Sequence, residues 1–311
     1  VYVRDIESPN LTFLINKSLR IEEVTSGGRA VHWYTEEEVE PEVFKANPDS
    51  EDIETISRGK GLFITVKSLR EKCGEIPIVI TYSGVLYDSL QPPERTYTKG
   101  FRTTSGLIDK RGVYLCNESI WYPFQFDRLF TFRLQADVPA DWMTVSQGSL
   151  EDEYLFEDEN GKRLCNLWVE IHPTPEFYLV AGPYYRHERT YNGKKIMTFT
   201  YEPCDSLAEV YLNATERYFS MYEHLFGEYP YAKFALVENF WQTGYGMPSF
   251  TLLGSKVIRL PFIVHTSYGH EILHNWWGNS VYVDYDRGNW CEGLTTYCAD
   301  YLYKEQQGED K

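Results

Sequence analysis

The chain has 311 residues, enough to bury a sizeable core and to form two domains. Its 46 Asp and Glu outweigh 30 Lys and Arg, giving a net charge of -16. That balance excludes a nucleic-acid binder, which needs clustered Lys and Arg to neutralise phosphates, and a polybasic membrane anchor. No run approaches the roughly eighteen apolar residues of a transmembrane helix. No leader peptide is visible either, which leaves cytoplasmic residence open alongside periplasmic or secreted residence after removal of a leader.

Up to about Pro203 the pattern is β. Leu62–Lys67, Ile76–Tyr82, Leu129–Ala136 and Lys195–Tyr201 alternate or run β-branched and aromatic. Turn clusters such as Ser26-Gly27-Gly28, Gln91-Pro92-Pro93 and Asn160-Gly161 punctuate them. Glu36 to Glu54 is acidic with few large apolar residues and reads as a solvated loop. Such segments build a sandwich or an open, saddle-like sheet assembly.

The character changes near residues 203–205. Leu207, Val210, Tyr211, Ala214, Tyr218, Tyr222 and Leu225 fall at helical spacing, and Gly227 follows as a stop. Phe234–Glu238, Thr251–Leu253 and Val257–Leu260 read as strands, and Gly244–Ser249 as an edge strand or turn beside a cleft. Thr266 or Ser267 can cap a helix running to about Trp277, where Gly278 and Asn279 supply the stop. A second helix starts near Cys291, with Leu294, Tyr297, Cys298 and Tyr301 on one face. The chain thus divides into an all-β unit, residues 1–203, and a mixed unit, residues 204–311. The six cysteines are scattered, with no C-x-x-C pair.

The chemistry concentrates in His270-Glu271-Ile272-Leu273-His274. On an α-helix, residues i and i+4 share a face, so both imidazoles can hold one Zn2+ while Glu271 sits beside the site as a base. Catalytic zinc takes three protein ligands and keeps one position open, so a third ligand is required. Glu292, eighteen residues after His274, opens the next helical pattern and is the candidate. The competing reading, two core histidines flanking a solvated glutamate, leaves the downstream Glu292 unexplained. Cys291 reads as a small packing residue rather than a thiolate ligand.

His270 to Asn279, followed by Trp290-Cys291-Glu292-Gly293-Leu294-Thr295-Thr296-Tyr297, resembles the aminopeptidase N and leukotriene hydrolase family of gluzincin zinc metallopeptidases. Trp121-Tyr122-Pro123, Val138–Trp142 and Phe226–Tyr231 fall in the order that family shows, so the likeness covers most of the chain. It implies an α+β multidomain fold: a saddle-like N-terminal β-sheet domain, then the first part of a thermolysin-like zinc peptidase domain. It also implies a zinc-dependent hydrolase of peptide substrates, an aminopeptidase in the first instance, with zinc-activated water, Glu271 as general base, and His270, His274 and Glu292 as ligands.

Gly244–Ser249 lies where the family carries its Gly-x-Met-Glu-Asn motif, which implies a substrate-lining role for Gly246 and Met247. Three departures stand out. Residues 275–291 make a connector one residue shorter than the family usually has. Pro248 and Ser249 replace the motif's Glu, which typically holds the free amine, and Asn. The family's transition-state tyrosine lies downstream of Lys311, so further catalytic-domain sequence is expected and residues 1–311 alone should be nearly inactive. Glu238 is the nearest carboxylate in sequence to replace the lost anchor. Two alternatives stay open: a peptidase with altered amine anchoring, endopeptidase-like, and a non-catalytic scaffold of the same fold.

Overall fold

The computed structural model describes residues 2–3, 10–37, 61–67, 76–92, 101–125, 128–284, 287–302 and 304. Most of the acidic 36–54 segment, Pro93 and Cys73 lie outside them. The described elements form a mixed α+β fold of five sheets with helices gathered in the last third. Four sheets are antiparallel and use the first 182 residues. Gly61–Val66 lies between Leu11–Asn16 and Trp33–Glu36, and Ile76–Gly84 pairs with Leu19–Ser26. Gly161–Thr174 sits between Phe130–Pro139 and Ser149–Asp158. The four strands expected from alternation are all present, each within a few residues of its expected ends.

The fifth sheet positions the site. Its order across the sheet is Tyr185–Tyr191, Lys194–Thr200, Lys233–Asn239, Phe250–Gly254, Gly244–Met247. The two central pairings are parallel and the outer two antiparallel. All seven residues of Lys233–Asn239 are buried, because both faces of the sheet are covered. The period-2 pleat splits them: Phe234 and Leu236 enter a core with the helices, Ala235 and Val237 a core with Tyr114, Val145 and Trp168 from the antiparallel sheets. The expected division near residue 203 passes through this sheet, since the 185–200 hairpin pairs with Lys233–Val237.

Helix α1, Asp205–Phe226, lays Tyr211, Leu212, Tyr218, Phe219 and Tyr222 against the sheet. Gly227 ends it at φ 95°, in the region only glycine enters cheaply, with its N–H bonded to Glu223 O. Two residues expected on its apolar face, Val210 and Leu225, are exposed instead, because the buried stripe is centred on Tyr211, Tyr218 and Tyr222. Helix α2 spans Ser267–Leu273 and helix α3 Cys291–Thr296, the latter running on through a π-helical turn, Tyr297–Tyr301.

The structure corrects four details. Val257–Leu260 is a turn, closed by Ile258 N–H to Gly254 O and Leu260 N–H to Val257 O, not a strand. The α2 helix stops at Leu273 rather than Trp277: Asn275 and Trp276 donate to carbonyls three residues back, and Gly278 at φ 96° completes the turn. Thr266 precedes α2 but gives no cap, since its hydroxyl donates to Phe262 O. Leu294 and Tyr297 are exposed, so α3 buries a different face, Cys291, Thr295, Cys298 and Ala299. The five described cysteines are unpaired, and no described helix is long and apolar enough to cross a membrane.

Candidate metal centre

α2 presents His270 and His274 on one face, one helical turn apart. The helix is held from below by its other face: Tyr268, Ile272 and Leu273 are buried, and Trp276, just after it, sits among Phe219, Tyr222 and Tyr229. Gly269 packs against Tyr218, and a Cβ there would meet the ring at 2.5 Å, so the helix can approach α1 only because this residue is glycine. Trp277 packs edge-on against Phe226 and Trp290.

The connector from Asn275 to Cys291 returns Glu292 to the histidine face despite its shortened length. His270 Nε2 and His274 Nε2 lie 3.2 Å apart. Glu292 Oε2 is 3.3 Å from His270 Nε2, and Oε1 is 3.4 Å from His274 Nε2. A tetrahedral Zn2+ about 2.0–2.2 Å from nitrogen and oxygen ligands holds them about 3.3–3.6 Å apart. The imidazole pair comes close to that spacing, each Glu292 oxygen faces one of the two rings, and one ligand atom from each of the three residues lies within 4.8 Å of the others, so two imidazoles and a carboxylate converge in a composition that suits zinc. Two imidazole nitrogens at 3.2 Å gain little from each other as a hydrogen bond unless one carries a proton, whereas a shared cation satisfies both.

The ring orientation of His274 is set from outside the triangle. Its Nδ1 lies 3.2 Å from Trp277 O and donates to that carbonyl, which leaves Nε2 with its lone pair toward the cluster. Burial pushes the pKa of His274 down, against the opposing pull of Glu292, in the direction that favours the neutral ring metal ligation requires. Cys291 Sγ contacts Trp277 O at 3.4 Å and lies 3.6 Å from His274 Nδ1, behind the ligand ring rather than at its metal-facing nitrogen. Burial raises its thiol pKa, keeping it protonated.

Glu271 projects to the side, toward the edge strand. Burial, reinforced by the charge of Glu292, pushes its carboxyl up to about 7 in the absence of a cation. Gly246 of the edge strand lies directly against it: a Cβ on Gly246 would come 2.6 Å from Glu271 Oε2 and 3.2 Å from His274 Cδ2. Asn279 Nδ2 donates to Gly246 O at 3.2 Å, and Tyr231 donates to Asn279 O at 2.6 Å, tying the strand to the turn after α2. Met247, the neighbouring residue, points the opposite way and is buried in the core beneath the sheet. Pro248 and Ser249 are buried as well.

Glu238 is neither a surface carboxylate nor free to act as an anchor. It is buried, pairs with Arg259, and accepts the Tyr201 N–H at 2.9 Å. Two buried polar residues beside the site, Lys233 at the head of the central strand and Asn275 after the helix, carry no local sequence motif. Asn275 Oδ1 accepts the Ser249 N–H at 2.7 Å. The signal available for Lys233 was a charged residue directly ahead of the apolar run Phe234-Ala235-Leu236-Val237.

No protein-family model matches this sequence, and no curated protein matches it. Solved structures do. An M1 zinc metallopeptidase from Deinococcus radiodurans superposes with a TM-score of 0.67 at 17% identity, over 99% of this chain and 66% of that one. Aminopeptidase A of Legionella pneumophila matches with a TM-score of 0.65 at 16% identity, over 97% of this chain and 34% of that one. Yeast LTA4 hydrolase gives 0.61 at 17% identity, over 97% and 44%. The chain spans about two thirds of the Deinococcus structure's length. At these identities the likeness speaks for architecture, and it covers nearly every residue: the chain has the fold of the M1 zinc metallopeptidases.

Proposed function

We propose that this chain carries the metal centre and general base of a zinc-dependent peptide hydrolase of the aminopeptidase kind. The observation that supports it is the convergence of His270, His274 and Glu292, one ligand atom from each within 4.8 Å of the others, with the Glu271 carboxyl beside them. The Deinococcus relative in fold has been seen with a Tyr-Ser-Ala substrate, which favours peptides as the substrate class here.

When bound, zinc supplies Lewis-acid polarisation of a carbonyl and lowers the pKa of water toward neutrality. Glu271 takes a proton from the attacking water and returns it to the departing amine nitrogen. Its location between the ligand helix and the edge strand suits both transfers. The strand Gly244–Met247 is the outer strand of its sheet, so an extended peptide can lie along it as an added strand. Gly246 keeps that approach open, because any side chain there would collide with Glu271.

The anchoring of a free amine is a separate matter. Pro248 is buried and offers no charge, and Glu238 is committed to Arg259. Those observations favour a second reading within the same chemistry, a peptidase that tolerates a blocked N-terminus. A scaffold role would leave Glu271 and the ligand triangle without purpose.

The test is metal analysis joined to hydrolysis by the intact protein. One zinc per chain and cleavage of peptide substrates are expected. Glu271→Gln should retain the metal and lose about 100- to 10,000-fold in turnover. Absence of zinc at stoichiometric supply would sink the proposal. Comparing a peptide with its N-acetylated twin separates the two anchoring readings.

A further inference from the structure

Lys233 heads a strand covered on both faces and is 1% exposed, yet no carboxylate is in salt-bridge contact with it among the described residues. All three of its ammonium hydrogens have acceptors. Nζ donates to Ser146 O at 2.7 Å, Ser249 O at 3.0 Å and Ser249 Oγ at 2.7 Å. The Trp168 and Phe250 rings lie 5.3 Å from it on centroid measure. Burial pulls its pKa down to about 7, with the charge of Glu170 opposing. A lysine kept at such a desolvation cost has a structural task, and its two bonds to one residue show where it acts.

Ser249 is that residue. Its φ is 65°, left-handed, a conformation that a non-glycine residue holds only when its surroundings impose it. Both Lys233 bonds, the Ala235 N–H to its carbonyl at 3.1 Å, and its own N–H to Asn275 Oδ1 at 2.7 Å fix it there. This left-handed turn reverses the chain between the edge strand Gly244–Met247 and Phe250–Gly254. Asn275 directly follows His274; its Nδ2 donates to Ile272 O at 2.8 Å, and the Tyr229 hydroxyl shares its one proton between Lys233 O at 3.1 Å and Asn275 Oδ1 at 3.2 Å. One buried network thus grips the turn of the edge strand and the end of the helix that carries the histidines.

We propose that Lys233 is a positioning residue for the hydrolytic site: through Ser249 and Asn275 it fixes the spacing between the edge strand and helix α2, so that Gly246 seats against Glu271. The proposal rests on the peptidase reading for its catalytic consequence, since the strand is taken to hold the substrate. Loosening the network lets the strand drift while the ligands and base stay on their helix. Substrate binding then suffers before the chemical step does.

In the intact, zinc-loaded protein, Lys233→Met should raise KM for an internally quenched peptide about tenfold, the order expected for losing a charged hydrogen bond. Turnover should stay within about threefold and zinc stoichiometry should not change. Ser249→Gly keeps the left-handed turn but removes the hydroxyl, and should raise KM about threefold. It also serves if Lys233→Met fails to fold. The double variant should be no worse than Lys233→Met, because both act along one path. A merely structural lysine would lower thermal stability and the active fraction, hence apparent kcat, with KM unmoved; that result, or multiplying effects in the double variant, overturns the proposal. Amide hydrogen exchange gives a readout free of turnover. Residues 244–249 should exchange about tenfold faster in both variants while residues 267–273 keep their protection. Unchanged exchange sinks the network, whereas a zinc-loaded wild type that cleaves no peptide sinks the peptidase reading.

Discussion

Two strands of this molecule show how differently the same secondary structure can be used. Lys233–Asn239 is buried at every position, with one face in the helical core and the other against the antiparallel sheets. Ser149–Asp158 is the outer strand of its three-stranded sheet and exposes most of its length, including Tyr154 and Leu155. The first is held by packing on both sides, so its ends are fixed in space and can place Ser249, Asn275 and the edge strand. The second is held by its backbone ladder, and its acidic residues, Glu151, Asp152, Glu153, Glu157 and Asp158, discourage pairing with another sheet edge. Precision in the site comes from the strand with no freedom.

The contrast can be tested by substitution, and the largest effect should come from the buried strand. Phe234→Ala should cost about 3–5 kcal/mol in denaturant unfolding, since the ring is fully buried against Phe219, Tyr229 and Tyr268. A loss below 1 kcal/mol would mean the sheet is not the rigid platform described here. Gly246→Val at the edge should cut peptide turnover about 100-fold with zinc content intact, because the new side chain displaces Glu271. Wild-type rates in that variant would remove the edge strand from the site.

A third, smaller effect concerns pH. The metal-free fold raises the Glu271 pKa to about 7 from its ordinary 4.5, so the folded state binds more protons than the unfolded one between those values. Stability should therefore fall as pH rises through that window. Glu271→Gln should make the metal-free protein more stable than wild type by about 1–3 kcal/mol above pH 7, and show no advantage near pH 4. Equal stability at pH 8 would contradict the burial of this carboxyl. The smallest effect belongs to the outlying sheet, where Leu155→Ser should change stability by no more than about 0.5 kcal/mol.

The sequence made some of this legible and hid the rest for physical reasons. Local patterns carried the strands, helix α1 and its glycine stop, because periodicity and φ preference are properties of a few neighbouring residues. The shared face of His270 and His274 was legible because i, i+4 spacing is itself geometry, and the approach of Glu292 because only one carboxylate opens the next helix. Val257–Leu260 failed as a strand because a short segment with one buried residue, Ile258, is satisfied by a turn as readily as by a sheet. Leu294 and Tyr297 failed as core because helical spacing finds a face without saying which neighbour covers it. The Lys233–Ser249–Asn275 network joins residues 16 and 26 positions apart through bonds that have no local signature. Glu238 shows the same limit, since its partner Arg259 lies on a turn 21 residues away.

The early end of helix α2 has an electrical consequence. Peptide dipoles along Ser267–Leu273 point their negative, carbonyl end toward the turn where His274 stands. His270 lies in that last turn and His274 just past it, so the helix adds a fraction of a negative charge beside both imidazoles. Had the helix continued to Trp277, this end would lie a full turn beyond the ligands. By stopping where it does, the backbone turns its own negative end toward the His270, His274 and Glu292 cluster.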